Sequence, residues 1–155
     1  MNPLTTNQIN KMLKDNNVTN RYFLGTFPAC NYHISKNNVY SFITNTDEHN
    51  RSGEHWNSWF VCDDKIIFFD SFGRAPHDKS FPQHYRDLIT KFNKVEYSRT
   101  QIQGTIATTC GLFCVHCIYV LSLGLDLNSF INDYYNDFKI NDIVVNDIVN
   151  SILYT

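Results

Sequence analysis

The sequence predicts an α+β domain in which a buried central helix packs on a small mixed or antiparallel sheet. Apolar residues recur at helical spacing near both ends of the chain, as Ile9 and Leu13 do four residues apart. The middle of the chain contains short runs of aromatic and β-branched residues bounded by turn formers, a pattern typical of strands. The segment from Gly111 to Leu123 is almost entirely apolar, which indicates a helix buried on every side.

Length and composition indicate a single folded domain over residues 1–155. The chain has 155 residues, of which 43% are hydrophobic and 18% are charged, the balance of a globular domain. Thirteen basic and fifteen acidic residues give a net charge of −2. This charge, together with the lack of a run of Lys or Arg, argues against a nucleic-acid-binding protein.

The first half of the chain is expected to contribute one helix, three extended runs and one apolar run, Tyr22 to Phe27, that is extended or loop-like. Thr6 to Lys14 has the spacing of a short helix that Thr5 or Thr6 can cap. The last two extended runs flank Asp63-Asp64-Lys65, which predicts a hairpin. The four runs are Tyr22 to Phe27, Val39 to Thr44, His55 to Cys62 and Ile66 to Asp70.

The second half of the chain is mainly helical. Phe81 to Phe92 shows helical spacing, with a proline tolerated in the first turn, and Val95 to Ser98 is a short strand. The buried apolar helix follows a loop. Two amphipathic helices are predicted after it, over Leu127 to Phe138 and Ile143 to Leu153.

The start of the chain and its cysteines bear on the cellular compartment. The first fifteen residues lack the charged-then-apolar pattern of a secretion signal, and no run reaches the roughly 18 apolar residues of a membrane span. The five cysteines are an odd number, and three of them fall within eight positions. We therefore expect thiols rather than a disulfide framework, in a protein that is not secreted and does not cross a membrane.

Cys110 is the candidate nucleophile. It follows Thr108 and Thr109, either of which can cap the buried helix, so the thiol is expected in the first helical turn. Unpaired backbone N–H groups and the helix dipole favour an anion there, and the thiolate is the nucleophilic form of cysteine. Gly111 is expected to leave room for a substrate to approach the sulfur.

His55 and Asp70 are the candidate base and its carboxylate partner. His55 begins one strand of the predicted hairpin and Asp70 ends the next, so antiparallel pairing can make them neighbours. A carboxylate at that position fixes the tautomer of the imidazole and stabilises its cation. Trp56 directly follows His55 and is expected to shield one face of the ring from water.

Gln103 is the candidate oxyanion-hole residue. It is followed by Gly104 and lies seven positions before Cys110. A side-chain amide near the sulfur, together with the backbone N–H of Cys110, can stabilise the oxyanion of a tetrahedral intermediate.

The cysteine spacing also allows a metal-binding interpretation. The position of these cysteines on a buried helix argues against it. Cys110, Cys114 and Cys117 have the C-x3-C-x2-C spacing of radical enzymes with an iron–sulfur cluster, whose ligands lie on a loop of a larger domain. Zinc binding by Cys114, His116 and Cys117 lacks a fourth ligand on a buried helix. We therefore expect no metal, and we expect Cys114 and Cys117 to be buried apolar residues.

These residues and the segments around them resemble the adenovirus endopeptidase (adenain) family of cysteine proteases. The motifs are His55-Trp56, an aromatic-carboxylate-x-Phe-Gly stretch at Asp70, and Gln-Gly-x5-Cys-Gly-Leu-Phe-Cys starting at Gln103. The resemblance covers roughly residues 8–122. The wider clan contains the ubiquitin-like-protein proteases, which share the order His, Asp, Gln, Cys.

The resemblance implies a fold, four roles and a substrate class. The fold is the α+β cysteine-protease arrangement with the nucleophile on the central helix. The roles are His55 as general base, Asp70 as its orienting carboxylate, Cys110 as nucleophile and Gln103 in the oxyanion hole. The substrates are viral capsid and core precursor proteins, cut during virion maturation, often at a Gly-containing site. We expect a monomer, without membrane association, in the host cell nucleus or cytoplasm and in the virion.

Two family properties have no counterpart in this sequence. Adenain is stimulated by viral DNA and by a peptide attached through a disulfide. The segment from Ser71 to Ile102 contains no cysteine for such a peptide, and the net charge of −2 argues against DNA as a cofactor. We therefore expect no cofactor. Asp70 also stands where the adenovirus enzymes usually carry Glu.

Two other functions are compatible with the same residues. A protease that removes ubiquitin-like modifiers would use the same four side chains and would also cut after glycine. A protein-binding module that kept the fold without turnover would have a Cys110 of ordinary reactivity.

Overall fold

The computed structural model describes residues 2–30, 34–46, 55–105 and 107–153, which form five helices and five strands. The first half holds α1 (Thr6–Asp15), β1 (Phe23–Pro28), β2 (Val39–Asn45), β3 (Trp56–Cys62) and β4 (Lys65–Phe69). The second half holds α2 (Gln83–Ile89), β5 (Lys94–Tyr97), α3 (Cys110–Ser122), α4 (Leu127–Ile131) and α5 (Phe138–Leu153). The predicted α+β class is confirmed.

The five strands form one mixed sheet in the order β1-β2-β3-β4-β5. The central pairs β2–β3 and β3–β4 are antiparallel, as the predicted hairpin requires. The outer pairs β1–β2 and β4–β5 are parallel. Of the two sheet types predicted, the mixed one is therefore correct, because the helix-containing connection from β4 to β5 returns the chain in the same direction.

Helices cover both faces of the sheet. On one face, Phe60 and Phe69 pack in a cluster with α3, α1, α4 and α5. On the other face, Trp59 and Phe68 pack with Tyr85 of α2. Neighbouring strand residues therefore enter opposite cores, which explains why β3 and β4 are almost continuously apolar in sequence.

The apolar segment forms α3, the central helix on which the first core is built. Cys110 to Val115 are all buried, and so are all but two of the helix's thirteen residues. This confirms the predicted buried helix, which begins one residue earlier than Gly111. None of the helices in the described part of the chain has the length and hydrophobicity needed to cross a bilayer.

The predicted helix over Leu127 to Phe138 is wrong. The helix α4 ends at Ile131, and α5 starts five residues before the predicted Ile143. Asp137 explains the break, because its carboxylate accepts hydrogen bonds from the backbone N–H groups of residues 139 and 140 and so starts a new helix. Local capping therefore outweighs the apolar periodicity.

The β3–β4 register sets the geometry at the end of the hairpin. Ser58 pairs with Phe69, so the same register carried beyond the strands sets Asn57 opposite Asp70 and His55 opposite Phe72. His55 is thus diagonal to Asp70, a separation that long side chains can still span.

The loop after β4 packs closely on the segment that leads to Gln103. Gly73 has a φ of +74°, and a Cβ atom there would lie 2.6 Å from the carbonyl oxygen of Arg99. Glycine is therefore required at this position both by its backbone conformation and by the close approach of a second chain segment.

Gly73→Ala should destabilise the protein by more than the about 1–2 kcal/mol that a left-handed backbone costs a residue with a side chain. The extra loss comes from the overlap with Arg99. Gly124→Ala is the matched control, since Gly124 has a φ of +90° and its added Cβ would meet no atom of the described residues within 4 Å. Urea unfolding measures both losses, and equal losses would contradict the close-packing argument.

Candidate active site

His55 and Asp70 form a buried ion pair at the end of the β3–β4 hairpin. The Nε2 atom of His55 lies 2.5 Å from Oδ1 of Asp70. A carboxylate oxygen only accepts hydrogen bonds, so Nε2–H is the donor and Nδ1 is the ring nitrogen left for another partner. Both side chains are almost fully buried. The structure therefore brings these two predicted residues into direct contact.

Cys110 is the second partner of the imidazole. It is the first residue of α3, and its side chain is near enough to His55 to act on the imidazole. Burial alone would lower the pKa of His55, but the hydrogen bonds and negative charge of Asp70 and Cys110 outweigh it and raise the pKa to about 9. Near neutral pH the imidazole is therefore held as a cation between a carboxylate and a sulfur.

Asp70 is surrounded by donors besides His55. The backbone N–H and Nε–H of Arg74 donate to its Oδ2 at 3.0 and 2.9 Å, and Nδ2 of Asn57 donates to its Oδ1 at 3.0 Å. Burial would raise the pKa of Asp70, but hydrogen bonds and positive charge from His55 and Arg74 outweigh it and lower the pKa. The carboxylate is thus kept ionised inside the protein.

Arg74 is held in place by aromatic rings as well as by its ion pair. Its guanidinium lies 4.3 Å from the ring centroid of Phe81 and 5.6 Å from that of Phe72. The side chain is 30% exposed, so it closes the outer side of the carboxylate from solvent. Such cation–π contacts restrict the guanidinium to the position in which it meets Asp70.

The aromatic ring stacked on the imidazole is Phe72. Its centroid lies 4.8 Å from that of His55, with an angle of 17° between the ring planes. The shielding role expected of Trp56 therefore falls to the residue opposite His55 in the hairpin register. Trp56 packs close to Gly111 and donates its Nε1–H to the carbonyl oxygen of Leu4.

Gln103 lies in the same site. It is buried, and it lines the same cleft as His55 and Cys110. Its Nε2 donates to the carbonyl oxygen of Ala107 at 2.8 Å, and its Oε1 accepts a hydrogen bond from Ser71. Three of the four predicted site residues, His55, Gln103 and Cys110, thus line one cleft, and the fourth, Asp70, is buried behind His55.

A buried hydrogen-bond chain continues from Asp70 through the sheet to α2. Asn57 accepts a hydrogen bond from the hydroxyl of Tyr85 at 2.9 Å, and that hydroxyl lies 2.6 Å from Oγ1 of Thr44. Trp59 completes the chain by donating its Nε1–H to Thr44 at 2.9 Å. The carboxylate is therefore fixed by partners that are themselves fixed in the second core.

The site opens into a cleft of about 980 Å³. One side is formed by the segment from Pro3 to Thr6, and another by residues 26–28 of β1. No carboxylate is among the described residues that line it, and its cations are His55 and Arg74. Cys110 is therefore reachable from solvent although its own exposed surface is small.

One expectation about the start of α3 is wrong, and a second holds only for the position of the capping residue. A Cβ at Gly111 would lie 3.1 Å from Cβ of Leu4 and 3.2 Å from Cδ1 of Trp56, so this glycine admits the N-terminal segment rather than a substrate. Thr109 occupies the capping position but does not cap α3 with its side chain, because its hydroxyl donates to Asp142 of α5.

The other cysteines are thiols set in apolar surroundings or at the periphery. Cys62, Cys110, Cys114 and Cys117 are free thiols. Cys114 and Cys117 are fully buried, and burial raises the pKa of Cys117 to about 12. Burial likewise lowers the pKa of His116 to about 4. Among the described residues, no group of three or more His, Cys, Asp or Glu side chains is placed to hold a metal ion.

Two viral proteases are similar to the chain in sequence, although no family model matches it. The chain is 31% identical over 111 residues to a Bovine adenovirus 4 protein named Protease, and 30% identical over 115 residues to the Protease of Snake adenovirus serotype 1. The matches cover 63% and 65% of this chain and 55% and 57% of those proteins. The chain thus spans about half the length of these curated relatives. The predicted resemblance to adenovirus endopeptidases is confirmed.

The SUMO protease Ulp1 is similar to the chain in fold. The superposition covers 97% of this chain and 79% of Ulp1, with a TM-score of 0.51 and 15% sequence identity. That solved structure carries an oxidised catalytic cysteine, a sulfinic acid. The predicted cysteine-protease fold is confirmed by this likeness, and the sequence is adenain-like within that fold class.

Sequence reasoning missed the partners that surround the four predicted residues. Asn57 had a usable signal, since it lies two positions after His55 and so shares its side of an extended strand. Arg74 and Ser71 had none, because they belong to a loop where sequence spacing does not determine side-chain direction.

The raised pKa of His55 predicts a pH-dependent contribution to stability. A group whose pKa rises on folding stabilises the native state fully below its unfolded value of 6.5, and the gain is lost as pH rises towards 9. The difference in free energy of unfolding between wild type and His55→Gln should therefore shrink between pH 6.5 and 9. Urea titrations at several pH values measure it, and a difference that grows over this range would refute the assignment.

Arg74→Gln should destabilise the protein by about 1.5–3 kcal/mol, the usual value for hydrogen bonds to a charged group. The reason is that Asp70 stays buried but loses a cationic partner. Lys11→Gln is the matched control, since Lys11 pairs with Asp15 on the surface and should matter little. The midpoint of urea unfolding compares the two variants, and similar small shifts in both would argue against a structural role for Arg74.

Proposed function

We propose that the chain is a viral cysteine endopeptidase that works through an acyl-enzyme on Cys110. The observation that carries this proposal is the position of the His55 imidazole, which is bonded to Asp70 and shares the lining of an open cleft with the Cys110 thiol. Similarity to two adenovirus proteins named Protease supports the viral and proteolytic parts of the proposal.

In the first step the Cys110 thiolate attacks the carbonyl carbon of a peptide bond. The imidazolium of His55 and the unpaired N–H groups at the start of α3 place positive charge next to the sulfur, where it can stabilise the attacking anion. Asp70 keeps the imidazole in the tautomer and orientation in which Nδ1 faces the sulfur.

The attack produces a tetrahedral intermediate with a negative oxygen. The side-chain amide of Gln103 and the backbone N–H of Cys110 are the proposed donors to this oxygen. His55 then gives its proton to the leaving amine, the carbon–nitrogen bond breaks, and the acyl group remains on the sulfur as a thioester.

Water completes the reaction. Neutral His55 takes a proton from the attacking water, a second tetrahedral intermediate forms on the same oxyanion donors, and the thioester bond breaks. The released carboxyl product and the regenerated thiolate–imidazolium pair restore the starting state.

The proposed substrates are capsid and core precursor proteins that are cut during virion maturation. The lack of carboxylates among the described lining residues, together with the pairing of Arg74 to Asp70, favours an uncharged peptide segment in the cleft. Such a segment fits the Gly-containing sites expected from the resemblance. The enzyme would act as a monomer in the host cell, in its nucleus or cytoplasm, and in the virion, without a metal, DNA or peptide cofactor.

Cys110→Ala and His55→Ala should each abolish cleavage while the circular dichroism spectrum stays that of wild type. Recombinant adenovirus capsid and core precursor proteins and a fluorogenic peptide library with glycine before the cleaved bond are the substrates. Cys62→Ala is the matched control, because Cys62 ends β3 at the opposite end from His55. A fully active Cys110→Ala variant would disprove the proposal.

Two further measurements separate the alternatives. A ubiquitin-like protein with a reactive carboxyl end should label Cys110 only if the chain removes such modifiers. Iodoacetamide should alkylate Cys110 at neutral pH much faster than Cys62 if the chain is an enzyme, and equal rates would indicate an inert binding module.

A further inference from the structure

We propose that Ser71 is a positioning residue that aims the amide of Gln103 at the reacting carbonyl oxygen. The inference rests on the proposed function and concerns how its oxyanion hole is built. Ser71 directly follows Asp70 in the chain, so one short segment would serve both the base and the oxyanion donor.

The contacts of Ser71 with Gln103 involve both side chain and main chain. The hydroxyl of Ser71 donates to Oε1 of Gln103. The carbonyl oxygen of Ser71 accepts hydrogen bonds from the backbone N–H groups of Ile102 at 3.0 Å and of Gln103 at 3.2 Å. Ser71 is completely buried and Gln103 is 1% exposed, so water does not compete for these bonds.

The orientation of the amide follows from its two neighbours. The carbonyl oxygen of Ala107 can only accept, so the group facing it must be Nε2 of Gln103. Oε1 then points to Ser71, whose hydroxyl must donate. Nε2 keeps a second N–H, for which the described residues show no acceptor, and Gln103 lines the cleft into which Cys110 opens. That N–H is the proposed oxyanion donor.

Ser71 also strengthens this donor. A hydrogen bond to the carbonyl oxygen of an amide polarises the group, so its N–H becomes a better donor to the developing negative charge. Without the serine hydroxyl, Oε1 of Gln103 is buried with no donor. The amide is then held only by its hydrogen bond to Ala107 and can change its orientation. Both effects weaken the oxyanion interaction without touching the sulfur or the imidazole.

Ser71→Ala tests this assignment on the full chain. We expect kcat on a fluorogenic glycine-containing peptide to fall about tenfold, part of the 10²–10³-fold loss expected for Gln103→Ala, with KM changed less than twofold. A peptide aldehyde ending in glycinal forms a tetrahedral adduct on Cys110, so its affinity should fall by a similar factor. Alkylation of Cys110 by iodoacetamide needs no oxyanion hole and should keep its wild-type rate.

A matched variant and a double variant sharpen the test. Ser41→Ala also removes a buried hydroxyl, which has no hydrogen-bond partner among the described residues, and should leave kcat unchanged. In the Gln103→Ala background, Ser71→Ala should cause no further loss, since its effect passes through that amide.

The outcomes are distinct. An unchanged kcat in Ser71→Ala, an alkylation rate that falls together with kcat, or losses that multiply in the double variant would each overturn the positioning role. If wild type cleaves and Cys110→Ala does not, these results leave the proposed function intact. If wild type itself neither cleaves peptides nor binds the aldehyde, the proposed function fails first.

Discussion

The buried negative charge of Asp70 is the constraint on which the site depends. A carboxylate inside a protein is stable only when donors and positive charge replace its water. Here the donors come from His55 just before β3, Asn57 on β3 and Arg74 in the loop after β4. The hydrogen bond that stabilises the Asp70 carboxylate therefore also fixes the imidazole of His55. The imidazole in turn lies near the sulfur at the start of α3.

The two cores on either side of the sheet position different residues of the site. The core around α3 places Cys110 at the end of a rigid helix. The core around α2 is linked to Asp70 by hydrogen bonds through Tyr85 and Asn57, so a chain of polar groups connects this core to the candidate active site. Buried polar chains of this kind hold their members in one arrangement because every alternative leaves a donor or acceptor without a partner.

The last helix stabilises the loop that carries Gln103. Asn141 of α5 is fully buried and donates its Nδ2–H to the carbonyl oxygen of Ile102 at 3.0 Å. The neighbouring Asp142 accepts a hydrogen bond from Thr109 at 2.6 Å, and burial raises the pKa of this carboxyl group. The loop is thus held at both ends by α5 and in its middle by its own Ala107 contact. The helix at the end of the described chain therefore belongs structurally to the site.

The sequence by itself predicted the four candidate site residues and most of the helices and strands. The order of His55, Asp70, Gln103 and Cys110 and the hairpin between the first two could be read from residue types, strand lengths and turn formers, because these are local properties. The tertiary structure alone decided the parallel outer strands, the partners Arg74 and Ser71, and the break between α4 and α5. The physical reason is that periodicity reports how much of a segment is buried, whereas strand partners and the donors to a buried charge depend on which distant segments meet.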